Sequence, residues 1–307
     1  MRTAFIERLS ELAADDPRIF LITGDLGFGV LDDFSRRFPD QFLNAGVAEQ
    51  NMAAVGTGLA LEGYVVFTYS IGNFPTLRCL EQLRNDAFYH EVNLNVVSIG
   101  GGFSYGQLGM SHHATEDLSI MRALPGVVVT APASGFETRA AVDQLVGQSG
   151  PTYLRLERAA GDYSDDSSIP FMLGKARQLR EGSDLTLIAS GGIVAEAMAA
   201  AASLEQAGVR CRVISMHTLK PLDIGVIHSA AEETGGILTI EENNVLGGLG
   251  SAVAETCLEH SCRPRRFKRL GIADTYVSAV GDQEYLRATA GIDRRSIMGS
   301  ALKLIND

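Results

Sequence analysis

Three short segments of this 307-residue chain carry side chains spaced for chemistry. The first is Asn44-Ala45-Gly46-Val47-Ala48-Glu49-Gln50-Asn51-Met52, which sets one carboxylate, Glu49, in the opening turn of an expected helix. The residues after it include Ala53, Ala54, Gly56, Gly58 and Ala60, small enough to let another backbone pack closely. A carboxylate in such surroundings is costly to bury unless it is protonated or hydrogen-bonded. Glu49 is therefore either a first-turn acid that complements the helix dipole or a group that handles a proton. The second segment is Gly109-Met110-Ser111-His112-His113-Ala114-Thr115-Glu116-Asp117. Adjacent histidines point in different directions, so at most one faces a given ligand, and no further ligand set accompanies them to make a metal site. Glu116 and Asp117 stand where helix-start acids stand, ahead of the apolar-periodic Leu118, Met121 and Leu124. The third pair is Arg155 and Arg158, on opposite faces of an expected strand. Spacing of three means they need not act together, and their ordinary role is surface ion pairing.

The elements that must position these groups alternate. An amphipathic helix over about 2–14 carries Phe5, Ile6, Leu9 and Leu12 at helical spacing. Apolar strands follow at Ile19–Thr23, Phe42–Asn44, Tyr64–Thr68, Leu94–Ile99, Val127–Thr130 and Thr152–Leu156, with helices between them, one over Pro75–Ala87. Several strands run into glycine-rich turns, Gly24-Asp25-Leu26-Gly27 and Gly100-Gly101-Gly102 among them. Such turns open onto ligands in parallel α/β sheets, though Asp25 also suits an ordinary turn. An Asp- and Ser-rich stretch, 162–170, reads as an exposed linker. A second strand–helix alternation begins beyond Gly182, which argues for two α/β units.

The net charge of -11 makes a polyanionic partner such as DNA a poor fit. Four cysteines, Cys79, Cys211, Cys257 and Cys262, show no zinc spacing and read as free thiols in a reducing compartment. No charged-then-apolar leader and no apolar run near the ~20 residues of a membrane helix is present, so a cytoplasmic chain without a membrane partner is expected.

Gly46-Val47-Ala48-Glu49-Gln50-Asn51-Met52 resembles the Ala-Glu-Gln segment of the transketolase family of thiamin-diphosphate enzymes. Gly109 to Asp117 resembles that family's Gly-Pro-Thr-His-Gln loop and leads into the same Arg-Ala-Leu-Pro-Gly ending, Arg122 to Gly126. The second half is similar to the family's carboxyl-terminal domain through Leu219-Lys220-Pro221-Leu222-Asp223, Ile240-Glu241-Glu242 and Gly247-Gly248-Leu249-Gly250-Ser251-Ala252. The resemblance implies two parallel-sheet α/β domains, a pyrimidine-binding domain over 1–161 and a carboxyl-terminal domain over 183–307, joined by a linker over 162–182.

It also implies roles. Glu49 matches the glutamate that hydrogen-bonds the cofactor's aminopyrimidine ring and supports loss of the thiazolium C2 proton. Ile71 and Phe74 stand where two aromatics flank that ring; Phe74 can stack and Ile71 only pack, while Asp25 lies at the turn expected to face the cofactor. His112 matches a histidine that contacts the substrate oxygen, with His113 replacing the glutamine that follows it. Arg158 matches a phosphate-binding arginine, and Arg2 falls near a second by spacing alone. Leu108 and Gly100 replace an acid and a histidine of sugar transketolases.

The family's Gly-Asp-Gly…Asn motif, which grips the diphosphate and a divalent metal, has no match; Gly24-Asp25-Leu26 and Gly281-Asp282-Gln283 both depart from it. The chain thus looks like the small subunit of a split transketolase. A large partner subunit would hold the diphosphate with Mg2+ or Ca2+ in an α2β2 complex, and the pair would transfer two-carbon ketol units between phosphorylated or otherwise anionic sugars. The alternatives are the β subunit of a 2-oxo acid dehydrogenase first component and a non-catalytic structural subunit, which an intact Glu49 opposes.

Overall fold

The computed structural model describes residues 1–158, 163 and 165–306. The first half runs α1 (Arg2–Asp15), β1 (Ile19–Thr23), α2 (Asp32–Arg37), β2 (Phe42–Asn44), α3 (Glu49–Leu61), β3 (Val65–Ile71), a short α4 (Leu80–Gln82), β4 (Leu94–Ile99), α5 (Asp117–Ala123), β5 (Val128–Thr130), α6 (Gly135–Val146) and β6 (Thr152–Leu156). The second runs β7 (Arg177–Arg180), β8 (Leu185–Ser190), α7 (Val194–Gln206), β9 (Cys211–Ser215), β10 (Thr218–Lys220), α8 (Ile224–Glu233), β11 (Ile237–Asn244), α9 (Leu249–Glu259), β12 (Phe267–Ile272), α10 (Gln283–Thr289) and α11 (Arg294–Asn306).

Two sheets result, ordered β10-β5-β6-β4-β3-β1-β2 and β12-β11-β8-β9-β7. Their central strands are parallel and buried along their length: every residue of β4 and of β8 is inside. Continuous apolar runs are what strands covered on both faces require, and helices supply the cover. The two-unit α/β architecture is the expected one, with a refinement at the edges. β10 joins β5 and β7 joins β9 antiparallel, so both sheets are mixed.

Both edge strands lie away from where the alternation placed structure. β7 falls inside the stretch expected as linker, and its Arg177 is buried, with Nη1 2.9 Å from a Glu137 oxygen and 2.8 Å from one of Asp165. The expected boundary at 161/162 lies outside the described residues. β10 belongs by sequence to the second half and by pairing to the first sheet. One apolar cluster runs from Ile22, Val66 and Tyr153 to Ile188, Ile214 and Val253, so the halves share a core. The helix expected over 75–87 is broken into short turns around α4. Gly72, with φ of 37°, and Pro75 shape a tight exit from β3, and helical geometry begins only at Leu77.

Candidate functional site

Because β1, β3, β4 and β6 are parallel, their carboxyl ends meet along one edge of the first sheet. That edge gathers Gly24 and Asp25 after β1, Gly72 to Phe74 after β3, Gly100 to Gly102 after β4, and Glu157 with Arg158 after β6. The turn after β1 packs closely on Glu49: a Cβ at Gly24 would stand 3.3 Å from the Glu49 Cγ.

Glu49 opens α3 and is 2% exposed. Arg78 Nη1 donates to its Oε2 at 2.7 Å, and among the described residues no other group hydrogen-bonds this carboxylate. The Arg78 side chain is 46% exposed, and its guanidinium carbon lies 4.5 Å from the centroid of the Phe74 ring. On Phe74, in turn, the His112 ring stands edge-on at 5.3 Å. The result is a contiguous row from a buried acid, through a half-open cation and an aromatic face, to an imidazole. His112 is half-buried, with Nδ1 3.0 Å from Ser111 Oγ. Burial, and then His113 beside it, hold its pKa below the ordinary imidazole value, so it is neutral at pH 7 and can donate or accept one hydrogen bond.

His113 faces elsewhere, as adjacency requires. It is buried, edge-on to Phe103 at 5.3 Å, with Nε2 3.4 Å from the Gly106 carbonyl. The loop that carries both histidines is fastened from outside. Asn73 Nδ2 donates to the His113 carbonyl at 2.9 Å, and Arg155 Nη2 donates to the Ala114 carbonyl at 3.1 Å and the Glu242 carbonyl at 2.8 Å. Arg155 is thus not the surface ion pair considered from its sequence: it is 3% exposed and pairs at 3.3 Å with the buried Asp117.

Of the expected site residues, the structure brings Glu49, Phe74 and His112 together. Ile71 ends β3, half-buried. Asp25, exposed and with φ of 58°, exchanges hydrogen bonds with Asn44, its amide donating at 3.0 Å and its carboxylate accepting at 2.9 Å. Those bonds tie the β1 and β2 turns together and match the turn-residue reading. Arg158 is exposed just past β6, two strands along from β3, and Arg2 is half-buried at the start of α1. Arg78 and Asn73 were not legible as site residues. The expected helix over 75–87 makes Arg78 look like part of a solvated face, and only the broken geometry there turns it toward Glu49. The rim is apolar and open: Phe28 is 77% exposed and Val47 75%.

Residues 1–162 match the transketolase pyrimidine-binding domain, and residues 174–297 match the transketolase C-terminal domain. The chain is 38% identical to a subunit of the apulose-4-phosphate transketolase of Phocaeicola vulgatus, over 99% of this chain and 97% of that one. It is 37% identical to a 6-deoxy-6-sulfo-D-fructose transketolase subunit of a Clostridium species, over 98% and 93%. A solved structure described as a split gene transketolase, inactive beta4 tetramer, superposes with a TM-score of 0.89 at 34% identity, covering 99% of this chain and 97% of that one.

Proposed function

The chain belongs to the transketolase family, and we propose that it is the small subunit of a two-chain, thiamin-diphosphate-dependent enzyme that moves a two-carbon ketol unit from a ketose to an aldose. The observation that carries this reading is the Glu49–Phe74–His112 row at the carboxyl edge of the first sheet. The row fits the cofactor's pyrimidine. Glu49 keeps one carboxylate oxygen free of protein donors among the described residues, and next along the row stands the Phe74 ring, with the Arg78 guanidinium over one of its faces. When bound, thiamin diphosphate supplies the electron sink for carbon–carbon bond cleavage and formation. Glu49 would hold and orient the pyrimidine and exchange a proton at its ring nitrogen. His112, neutral, would hydrogen-bond a substrate oxygen that gains charge in the transition state.

A large subunit would add the diphosphate grip and its Mg2+ or Ca2+, seated against the open rim at Phe28 and Val47, in an α2β2 assembly. The two relatives that are subunits of transketolases support a two-chain enzyme. Their names carry a phosphate and a sulfo group, which favours anionic sugars as substrates, held by Arg158 with Arg2 nearby and His113 packed beneath the same loop. The domain division 1–161, 162–182 and 183–307 belongs to the same reading. No helix among the described residues is long and apolar enough to cross a membrane; a cytoplasmic location is part of the proposed reading.

The test is reconstitution. The chain, co-purified with its large partner, should transfer ketol units to phosphorylated or sulfonated aldoses, and neither chain alone should. Turnover of a 2-oxo acid, or no ketol transfer by the complex to any aldose, would overturn the reading.

A further inference from the structure

We propose that Arg78 is a positioning residue that holds Glu49 by Oε2 so that Oε1 is left for the pyrimidine ring nitrogen. This rests on the proposed function and deepens it. Three observations carry it. Glu49 is backed by Gly24 and 2% exposed, so its carboxylate has little room to turn and needs a counter-charge. Arg78 provides that charge at 2.7 Å and engages Oε2, while Oε1 has no protein donor among the described residues and is the less encumbered acceptor. The Arg78 guanidinium carbon lies over the Phe74 ring, 4.5 Å from its centroid, although nearly half of the side chain is exposed. Phe74 and Arg78 leave the same turn after β3, so the stacking face and the clamp are placed together. Lysine has the charge but neither the planar fork nor the stacking face.

Two other roles fit the same contacts and make opposite predictions. Arg78 could occupy the ring's own place and have to leave when the cofactor arrives, or it could merely pack the turn. Calorimetry on the co-purified complex separates them, using Mg2+ with thiamin diphosphate and with an analogue whose pyrimidine N1′ is replaced by carbon. R78Q should weaken thiamin diphosphate binding about tenfold or more. It should leave the carbon analogue within about twofold, because the orientation of Glu49 matters only to a ring nitrogen that meets it. R78K should recover part of the loss. Tighter binding of both ligands by R78Q, or equal weakening of both, would overturn the Arg78 role while the proposed function stands. Failure of the wild-type complex to bind thiamin diphosphate at all would overturn that function and the Arg78 role with it, and it is read on the wild type alone.

Discussion

Two acid–arginine groups in this molecule are built on opposite plans. The Glu49–Arg78 pair is half-open, with one carboxylate oxygen engaged and the cation nearly half exposed. The other group joins the end of β6 to β11 and α10, and it is closed. Arg287 Nε donates to Glu242 Oε2 at 2.5 Å and Nη2 to Glu157 Oε2 at 3.2 Å, while Gln283 bonds both carboxylates. The remaining oxygens accept from backbone, Glu242 Oε1 from the Phe103 amide at 2.6 Å and Glu157 Oε1 from the Gly192 amide at 2.7 Å. Burial, then the nearby Glu242, push the Glu157 carboxyl above the usual carboxylate range, which only so complete a set of donors makes tolerable. A buried network with every acceptor used has nothing left to offer a ligand. The pair with a spare oxygen at an open edge does. Burial alone does not draw this contrast, since Glu49 and Glu157 are both buried.

The largest effect should come from breaking the closed group. Arg287→Met leaves two buried carboxylates without their cation and should cost about 5 kcal/mol of unfolding free energy, the upper end for an uncompensated buried charge. Denaturant unfolding measures it, and a loss below about 1 kcal/mol would end the comparison.

Close behind is a second fully closed position, a buried histidine apart from that group, under acid. His217 is buried and stacked on Phe171 with ring centroids 4.0 Å apart, and burial pushes its pKa down to about 3. The unfolded chain binds that proton more readily, so the stability is whole above pH ~6.5 and is lost as pH falls toward ~3, about 4 kcal/mol over the window. His217→Gln should flatten this limb of the stability curve. An unchanged slope between those pH values would mean that His217 does not govern it.

On the open side the effect should move from stability to function. Glu49→Gln keeps shape and hydrogen bonding but cannot exchange a proton, so turnover of the complex should fall on the order of a hundredfold or more. Its unfolding free energy should change by less than about 1 kcal/mol, because a half-exposed partner remains solvated when the charge is gone. Paired melts and turnover assays decide it, and a stability loss as large as that of Arg287→Met would make Glu49 part of the scaffold.

How far these two groups could be read from sequence follows their locality. Glu49 and His112 stand out locally, as a first-turn acid among small residues and a histidine in a glycine-rich loop, but the pattern alone leaves each open and only the resemblance assigns it a role. The parallel core is legible because β4 and β8 are unbroken apolar runs that end in turns. The closed group is not: Glu157, Glu242 and Arg287 are far apart in the chain, and each alone looks like a solvated charge. Arg155 fails for a related reason. Every residue of β6 is buried, so alternation along the strand cannot separate an inner from an outer face. β7 and β10 are short edge strands, Arg-Gln-Leu-Arg and Thr-Leu-Lys, whose pairing is decided by the sheet they join. Arg78 was hidden by a helical pattern that Gly72 and Pro75 interrupt.

The smallest effect, and the sharpest test of what the open edge is for, belongs to Arg158. It stands exposed past β6 on the same edge as the Glu49 row. A guanidinium there would be worth a charge-assisted contact to a phosphate or sulfonate, but water screens an exposed charge, so the contribution should sit near the low end of the range for such bonds, about tenfold. Arg158→Ala should therefore raise KM for an anionic aldose about tenfold with kcat nearly kept, and more salt should shrink the difference. A neutral aldose should not register the change. His112→Ala should do the reverse and lower kcat, because its contact strengthens only as charge develops on oxygen. If Arg158→Ala left KM unchanged for anionic and neutral aldoses alike, Arg158 would be an ordinary surface charge, and the anionic end of the substrate would have to be held from another element or from the partner chain.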